Sequence, residues 1–232
     1  MKTALITGIS RGIGKALAEK FLTEGHVVIG TSLSGTVDFS HEKLTVHQLD
    51  LTSSQSIRVC TEAIKKSDTK IDILVNNAGA LFDEEETNVI IDKLRQTLEV
   101  NLIGTIDFTE HIIHAINKDG HIVNVSSSAG SLGGKSLTEI EFAKSSHFPF
   151  HYPAYKISKA ALNMYTRTLA ARFINEKTPV VVSSVHPGWV KTSMGGDGAP
   201  MLPVEAAEDI YRLAISQPET GQFWFKGEKH PW

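Results

Sequence analysis

The sequence lacks the features that mark secreted, membrane-embedded and nucleic-acid-binding proteins. Cys60 is the single cysteine among 232 residues, which excludes an intrachain disulfide framework and fits a reducing compartment. The formal net charge of −3 provides no basic field for nucleic acid or an anionic membrane. No apolar run approaches the length of a membrane span or of a signal-peptide core. We therefore expect one cytoplasmic domain over residues 1–232, with no nucleic-acid or membrane partner.

A metal site is also not predicted, although the chain has 10 histidines. His111 and His114 are three residues apart, and His147 and His151 are four apart. Zinc needs further ligands with defined geometry, and no neighbouring Cys, Asp or Glu motif supplies them. The acidic run at residues 83–86 is expected to be a solvated turn that suits the dipole of the helix after it.

Strand-like and helix-like segments alternate along the chain. Runs rich in Val, Ile and Leu, such as HVVIGTS and IDILVNN, predict strands that are buried on both faces. Segments with apolar residues at helical spacing lie between them, including a long one at residues 88–116 and another at 153–175. The alternation predicts an α/β fold with a parallel, doubly wound sheet and helices on both faces.

A glycine-rich turn, TGISRGIG, joins the first predicted strand to the first predicted helix. Gly8, Gly12 and Gly14 have the spacing G-x-x-x-G-x-G. Glycines at such positions permit a tight turn and a close backbone approach to a pyrophosphate, and the helix N-terminus adds free N–H groups. The turn therefore predicts a dinucleotide site.

The type of dinucleotide is predicted from the residues around the adenosine ribose. The second strand is followed by Ser32, Leu33 and Ser34, so no carboxylate is present there to bind a ribose 2′-hydroxyl. Arg11, within the glycine turn, can donate to a 2′-phosphate, although it could instead be a solvated loop arginine. A second basic residue after the strand is missing. The pattern favours NADP(H) over NAD(H).

Six motifs follow one another between Thr7 and Thr192. They are TGISRGIG, NNAG, EVNLIGT, IVNVSSSAG, YKISKAALN and HPGWVKT. In this order they resemble the short-chain dehydrogenase/reductase family, and the long segment between Ser127 and Tyr155 resembles its carbonyl-reductase-like branches. The resemblance implies a seven-stranded Rossmann sheet and reversible hydride transfer between NAD(P)(H) and a carbonyl or alcohol.

A Tyr–Lys spacing of four residues occurs twice within HYPAYKISK. Residues four apart in a helix share a face, where an ammonium favours phenolate and lowers a tyrosine pKa from about 10. Proline is best tolerated in the first turn, so the helix is expected to begin at Pro153. Tyr152 then lies at or before the cap, and Lys156 is a solvated lysine. Tyr155 and Lys159 lie inside the helix, and the resemblance selects the same pair as proton donor and ribose-binding lysine.

Two further catalytic roles follow from the resemblance. Asn101 would fix the active-site lysine and a proton-relay water. Ser127 would bind the substrate oxygen, with Ser126 as the alternative and Ser128 as a third candidate. Alternate residues at a strand end face opposite sides, so Ser126 and Ser127 cannot both face the site.

The resemblance also extends the cofactor site beyond the glycine turn. Asp50 would meet adenine, or alternatively cap a helix. Thr192 would bond the cofactor carboxamide or phosphate, or alternatively cap a short helix. The complete set of expected cofactor-binding residues is Gly8, Ser10, Arg11, Gly12, Ile13, Gly14, Ser32, Asp50, Leu51, Asn77, Ala78, Gly79, Tyr155, Lys159, Pro187, Gly188, Val190 and Thr192.

Two irregular stretches, residues 128–151 and 195–202, are expected to shape the substrate pocket beyond the strand ends. Their apolar and aromatic character predicts a small hydrophobic ketone or aldehyde. The pocket walls are expected to include Tyr152, Trp189 and Met194. The first stretch also offers Phe142, Phe148, Phe150 and His151, and no cluster of Arg or Lys is expected beyond Lys144 and Lys191.

The favoured function is NADPH-dependent reduction of such a carbonyl, with tyrosine as proton donor. An NAD-dependent alcohol dehydrogenase of the same family is one alternative. A non-catalytic dinucleotide-binding sensor is another, and it predicts a broken catalytic set. The long segment after Ser127 and the C-terminal GQFWFKGEKHPW argue against the tetramer that many family members form. They leave a homodimer as the assembly to test.

Overall fold

The structure is a computed structural model that describes residues 1–133 and 151–232. Its strands are β1 (Thr3–Ile6), β2 (Val27–Ser32), β3 (Leu44–Gln48), β4 (Ile71–Asn76), β5 (Ile116–Val125), β6 (Val181–Val185), β7 (Gln222–Phe225) and β8 (Glu228–Lys229). Its α-helices are α1 (Gly12–Thr23), α2 (Ser54–Lys66), α3 (Ile91–Leu98), α4 (Gly104–Ile112), α5 (Pro153–Asn175) and α6 (Pro203–Ile215). Across these two ranges the strands form one sheet in the order β3-β2-β1-β4-β5-β6-β7-β8.

The sheet is parallel from β3 to β7, which confirms the predicted doubly wound topology. Seven strands were predicted, and the described residues add an eighth, because β8 pairs antiparallel with β7. Lys226 and Gly227 form the turn between these two strands, with φ of 49° and 79°. Two central residues with positive φ are typical of tight hairpins, but a lysine gives no sequence signal for that conformation.

Two apolar cores lie on opposite faces of the sheet. In β1, Ala4 and Ile6 belong to the core beneath α1 and α6. Leu5, between them, belongs to the core beneath α2, α4 and α5. Successive strand residues point to opposite faces, so a continuous apolar run supplies both cores. The predicted helices on both faces are thus confirmed.

The long helical stretch predicted at residues 88–116 is confirmed over residues 91–115, although its geometry is not uniform. It consists of α3, a π-helical turn at Glu99–Ile103, α4 and a short 3₁₀ turn at Ile113–Ala115. Gly104 packs closely, since a Cβ there would lie 2.0 Å from the carbonyl oxygen of Leu51. π-Helical turns insert a residue and are frequent at functional sites, and this one carries Asn101.

Strand order reverses direction between β1 and β4, so a crevice opens beyond the carboxyl ends of these two strands. Ligands of open α/β sheets bind at such a point. The glycine turn follows β1 and the NNAG motif follows β4, so the two motifs meet there. Within the described ranges no helix combines the length and apolarity required to cross a lipid bilayer.

Candidate active site

The glycine turn has the backbone conformation that its sequence predicts. Gly8 and Gly12 have φ of 73° and 59°, the left-handed region that favours glycine. A Cβ on Gly14 would lie 2.1 Å from the carbonyl oxygen of Gly8 and 2.4 Å from Nδ2 of Asn77. Any side chain on Gly14 would therefore push α1 away from the turn.

Two threonines and an asparagine hold this turn against the ends of the neighbouring strands. Asn77 donates from Nδ2 to the carbonyl oxygens of Thr7 and Gly8, at 3.0 and 3.1 Å. The Thr7 hydroxyl accepts from the backbone N–H groups of Asn77 and Ala78, both at 3.0 Å. The Thr31 hydroxyl accepts a hydrogen bond from the Gly8 N–H at 3.4 Å. The roles of Thr7 and Thr31 in holding the turn are not predicted from the sequence, because a threonine at a strand end gives no distinctive signal.

Three residues were expected near the adenosine phosphate, and two of them are exposed to solvent while the third is hydrogen-bonded within the protein. Ser10 and Arg11 are exposed at the start of α1. Ser32 is 3% exposed and donates its hydroxyl to the carbonyl oxygen of Thr36 at 2.9 Å. Arg11 therefore remains the side chain in this group that is placed to meet a phosphate.

Asp50 and Leu51 serve structural purposes in the described chain. Asp50 accepts at Oδ1 from the backbone N–H and the hydroxyl of Thr52, at 2.9 and 2.7 Å. Its own backbone N–H donates to the Ser56 hydroxyl at 2.9 Å. Leu51 is 7% exposed and packs in the α2–α4–α5 core. The Asp50 carboxylate therefore closes a turn onto Thr52 and does not cap α2, whose N-cap is Ser53.

The segment after β6 folds over the glycine turn. Gly188 has φ of 87°, and Val190 is buried and paired with Met201. The Thr192 hydroxyl accepts from the backbone N–H groups of Met194 and Gly195, at 3.3 and 3.1 Å. The Thr192 methyl lies on the other side, where a Cβ on Gly12 would be 3.2 Å from it. Thr192 therefore joins this segment, which begins at Pro187, to the turn that includes Ile13.

Tyr155, Lys159 and Ser127 are brought together at the carboxyl end of β5. Ser127 is close enough to the Tyr155 phenol to lower its pKa, and the Ser127 hydroxyl accepts from Ala129 N–H at 3.1 Å. The Lys159 ammonium lies 5.5 Å from the centre of the Tyr155 ring. Ser126 is 1% exposed and points the other way, with its hydroxyl donating to the carbonyl oxygen of Lys159 at 3.4 Å. Of these two serines, Ser127 is the one beside the tyrosine.

The protonation of this cluster differs from the expectation that the lysine acidifies the tyrosine. Burial raises the pKa of Tyr155 to about 12, and the hydrogen bond with Ser127 offsets only part of that rise. Burial also lowers the pKa of Lys159 to about 8. Lys159 donates to the carbonyl oxygen of Val125 at 2.9 Å. Desolvation outweighs the lysine charge here because both groups are enclosed, so the tyrosine is held protonated.

Asn101 braces the loop after β4. Its Oδ1 accepts from Ala80 N–H at 2.7 Å, and its Nδ2 donates to the Ala80 carbonyl oxygen at 2.9 Å. Nδ2 also donates to the Ser158 hydroxyl at 3.0 Å. Gly79 lies between Asn101 and Lys159, where a Cβ would be 3.3 Å from Oδ1 and 3.7 Å from Nζ. Asn101 thus positions the backbone beside Lys159, with its side chain bonded to Ala80 and Ser158.

Of the expected substrate-pocket residues, Tyr152 contacts Tyr155, and Trp189 and Met194 lie in the segment after β6. Tyr152 is the N-cap of α5, as predicted, and its ring lies 6.1 Å from that of Tyr155 in a T-shaped arrangement. Trp189 is 44% exposed and donates from Nε1 to the Gly195 carbonyl oxygen at 2.8 Å. Met194 is half-buried in the same loop. The predicted pocket residues Phe142, Phe148 and Phe150 lie outside the described residues, as do Lys144 and His147.

Two charged positions were assigned wrongly from the sequence. Lys156 is half-buried rather than solvated, because its ammonium stacks over the Tyr152 ring at 4.8 Å. In the acidic run at 83–86, Glu84 and Glu85 are exposed in a turn as predicted, but Asp83 is 1% exposed and accepts the Ala154 N–H of α5. The error at Asp83 comes from a contact between distant parts of the chain, whereas Lys156 contacts a residue four positions earlier.

No cluster of three or more His, Cys, Asp or Glu side chains is placed to hold a metal in residues 1–133 and 151–232. His111 instead forms an ion pair with Asp107, at 2.9 Å between Nδ1 and Oδ1.

The model of the short chain dehydrogenase family matches residues 2–201. The chain belongs to this family. A relative, carbonyl reductase [NADPH] 1 of Mus musculus, is 28% identical over 271 aligned residues, covering 99% of this chain and 98% of the relative. The (+)-neomenthol dehydrogenase of Capsicum annuum is 28% identical over 306, covering 97% and 96%. A short-chain dehydrogenase/reductase of Burkholderia multivorans, solved with bound NADP, is 28% identical with a TM-score of 0.83 and covers 100% of this chain and 99% of its own.

Proposed function

We propose that this short-chain dehydrogenase reduces the carbonyl group of a small apolar ketone or aldehyde with NADPH. The observation that carries the proposal is one cluster: Ser127 lies beside the Tyr155 phenol and lowers its pKa, and the Lys159 ammonium is 5.5 Å from the centre of the same ring. This cluster lies at the sheet edge that also carries the glycine turn. The related carbonyl reductase of mouse and the NADP-bound structure from Burkholderia support the choice of reaction and cofactor.

The crevice fits a dinucleotide. Among the described residues no side chain caps the N-terminus of α1, and its first turn has no acidic residue. Its free N–H groups and dipole therefore suit a pyrophosphate, which Gly8, Gly12 and Gly14 can approach through bare backbone. When bound, the nicotinamide supplies the hydride. Lys159 would hold its ribose, with Gly79 leaving the space between Lys159 and Asn101.

The side chains of the chain itself supply the proton and the polarisation. Negative charge develops on the substrate oxygen as hydride arrives, and it needs a donor and a proton. Ser127 would donate a hydrogen bond to that oxygen. Tyr155 would transfer its phenolic proton to it, and burial keeps this proton in place at neutral pH. Lys159, cationic below about 8, would then stabilise the phenolate that remains.

The setting we propose is a single catalytic domain that acts in the cytoplasm. Cys60 is buried and free, which is consistent with a reducing compartment. A homodimer is the proposed assembly, to be tested by light scattering.

The test of function is a panel of small ketones and aldehydes, followed by loss of NADPH or NADH absorbance. We expect turnover with NADPH, greatest for apolar substrates, and weaker binding of NADH. NADH binding equal to or tighter than that of NADPH would contradict the cofactor assignment. Tight NADPH binding without turnover of any member would instead favour the non-catalytic sensor.

Arg11→Ala should weaken NADPH binding by about 10- to 100-fold and leave NADH binding nearly unchanged, because a hydrogen bond to a charged group contributes about 1.5–3 kcal/mol. Isothermal titration of both nucleotides measures the effect. Arg95→Ala is the control, since Arg95 is exposed and pairs with Asp92 on α3. An equal loss for NADPH and NADH in Arg11→Ala would show that Arg11 does not read the 2′-phosphate.

A further inference from the structure

Asp83 caps a helix to which it does not belong. Its side chain is 1% exposed, and its Oδ2 accepts the backbone N–H of Ala154 at 2.6 Å. Ala154 is the second residue of α5, where backbone N–H groups have no partner inside the helix. The N-cap residue, Tyr152, makes no side-chain cap bond. Asp83 therefore supplies from 71 residues away the cap that α5 lacks in its own sequence.

The residues that follow Asp83 strengthen the same junction. The carbonyl oxygen of Glu86 accepts Tyr152 N–H at 2.9 Å, and the carbonyl oxygen of Glu84 is 3.3 Å from Nδ1 of His151. Tyr152 has φ of 50°, a left-handed conformation that costs energy for a bulky residue. The surrounding contacts must therefore hold this residue in place. The acidic segment at 83–86 is a clamp on the entry to α5.

A neutral cap would stabilise the helix without burying a charge. Asp83 Oδ1 is buried and, among the described residues, has no hydrogen-bond partner. Burying a carboxylate is costly unless it is compensated, and here the compensation comes from the dipole of α5 and from Lys156, whose cationic form Asp83 favours. A serine or asparagine at position 83 would accept the Ala154 N–H without the free-energy cost of burying a charge. The junction therefore requires a hydrogen-bond acceptor at position 83, and a neutral one would meet that requirement as well.

The clamp joins the two halves of the proposed site. Asp83 follows Gly79 and Ala80, the loop that Asn101 braces beside Lys159. On the other side, Tyr155 is the residue directly after Ala154. A displacement of the first turn of α5 would therefore move the phenol relative to the loop beside the cofactor.

We propose that Asp83 is a positioning residue, which fixes the first turn of α5 and thereby the Tyr155 hydroxyl against the loop after β4. The inference rests on the proposed function, because it assigns Asp83 a part in the turnover that Tyr155 would perform. It predicts a loss in kcat without a loss of cofactor affinity, since the glycine turn and Arg11 are untouched.

The test compares Asp83→Ala with Asp83→Asn, both assayed below their melting temperatures at saturating NADPH. Misplacing a reacting group by about 1 Å can cost roughly 100-fold in rate, so we expect kcat to fall by about 10- to 100-fold in Asp83→Ala. Asp83→Asn keeps an acceptor for Ala154 N–H and should restore kcat to within about threefold of the native value. The Kd for NADPH should be unchanged in both variants.

Ser53→Ala is the matched control, because the Ser53 side chain accepts Ser56 N–H at 3.2 Å and caps α2, a helix without proposed catalytic residues. It should lower stability comparably and leave kcat unchanged. An equal kcat loss in Ser53→Ala, a parallel loss of NADPH affinity, or native kcat in Asp83→Ala would overturn the proposal.

A second measurement separates this proposal from the proposed function. Ala154 amide exchange and the Tyr155 ring resonances, followed by NMR, report the cap whether or not the protein turns over a carbonyl. We expect faster Ala154 exchange and shifted Tyr155 signals in Asp83→Ala, restored in Asp83→Asn. If these changes occurred in a protein without reductase activity, they would contradict the proposed function but support the capping of α5 by Asp83. Unchanged spectra in Asp83→Ala would contradict the positioning role of Asp83.

Discussion

Tyr155→Phe should lower kcat for carbonyl reduction by about 10²–10⁴-fold, the range that a positioned general acid contributes. Phenylalanine keeps the ring beside Tyr152 and removes only the hydroxyl, the group whose pKa Ser127 lowers. The Kd for NADPH should stay within about twofold, because the glycine turn does not involve this hydroxyl. Stopped-flow turnover together with a binding titration measures both quantities.

The doubled Tyr–Lys spacing provides a matched control. Tyr152→Phe removes the same hydroxyl three residues earlier, from the N-cap of α5 rather than from its first turn. It should leave kcat within about threefold and change KM for bulky substrates, because Tyr152 is proposed as a pocket wall. If Tyr155→Phe retained native kcat, or if Tyr152→Phe lost more activity than Tyr155→Phe, the assignment of the proton donor would be wrong.

Much of the fold is predictable because it depends on local patterns. Continuous apolar runs predict buried parallel strands, and the structure places Ala4 and Leu5 in cores on opposite faces. Proline at the first position predicts the start of α5, and the helix spans Pro153–Asn175 as expected. The glycines of the first turn have positive φ or close backbone contacts, and their G-x-x-x-G-x-G spacing predicts both.

The parts that could not be predicted depend on long-range contacts. A solvated acidic turn is the ordinary interpretation of residues 83–86, yet Asp83 caps α5 across 71 residues of sequence. Gly104, the residue after the π-helical turn, packs against the backbone of Leu51, which is another contact between distant residues. Lys156 is a local exception, because it stacks over Tyr152 four residues earlier, where the entry to α5 has a left-handed conformation that a tyrosine does not signal.

The electrostatics of the site show the same dependence on environment. From the sequence we expect Lys159 to lower the pKa of Tyr155, because the two residues lie one helical turn apart. The enclosure of both side chains instead raises the pKa of Tyr155 to about 12 and lowers that of Lys159 to about 8. Because its pKa is about 8, Lys159 changes its charge within a pH range in which enzymes can be assayed. Its contribution to catalysis can therefore be measured.

Lys159→Met should lower kcat/KM with NADPH by about 10²–10³-fold, the loss typical of removing a preorganised charged donor from an enclosed site. Methionine fills a similar volume, so the packing of α5 is largely kept. The native protein should in addition lose kcat/KM as pH rises through about 8, because Lys159 is cationic below that pKa and neutral above it. That decline should be absent in Lys159→Met. Steady-state kinetics between pH 6 and 10 (roughly two units on either side of the pKa) measures both effects.

Lys156→Met is the control for this lysine. Lys156 lies on α5 in contact with the ring of Tyr152, so its loss removes an ammonium from the same helix but not the one beside Tyr155. Its pKa is also lowered by burial, and the variant therefore tests whether the alkaline decline comes from Lys159 alone. We expect Lys156→Met to keep the decline and to lose less than about tenfold in kcat/KM. A decline that persisted in Lys159→Met and vanished in Lys156→Met would assign the titrating charge to the outer lysine, and the proposed mechanism would lose its phenolate-stabilising group.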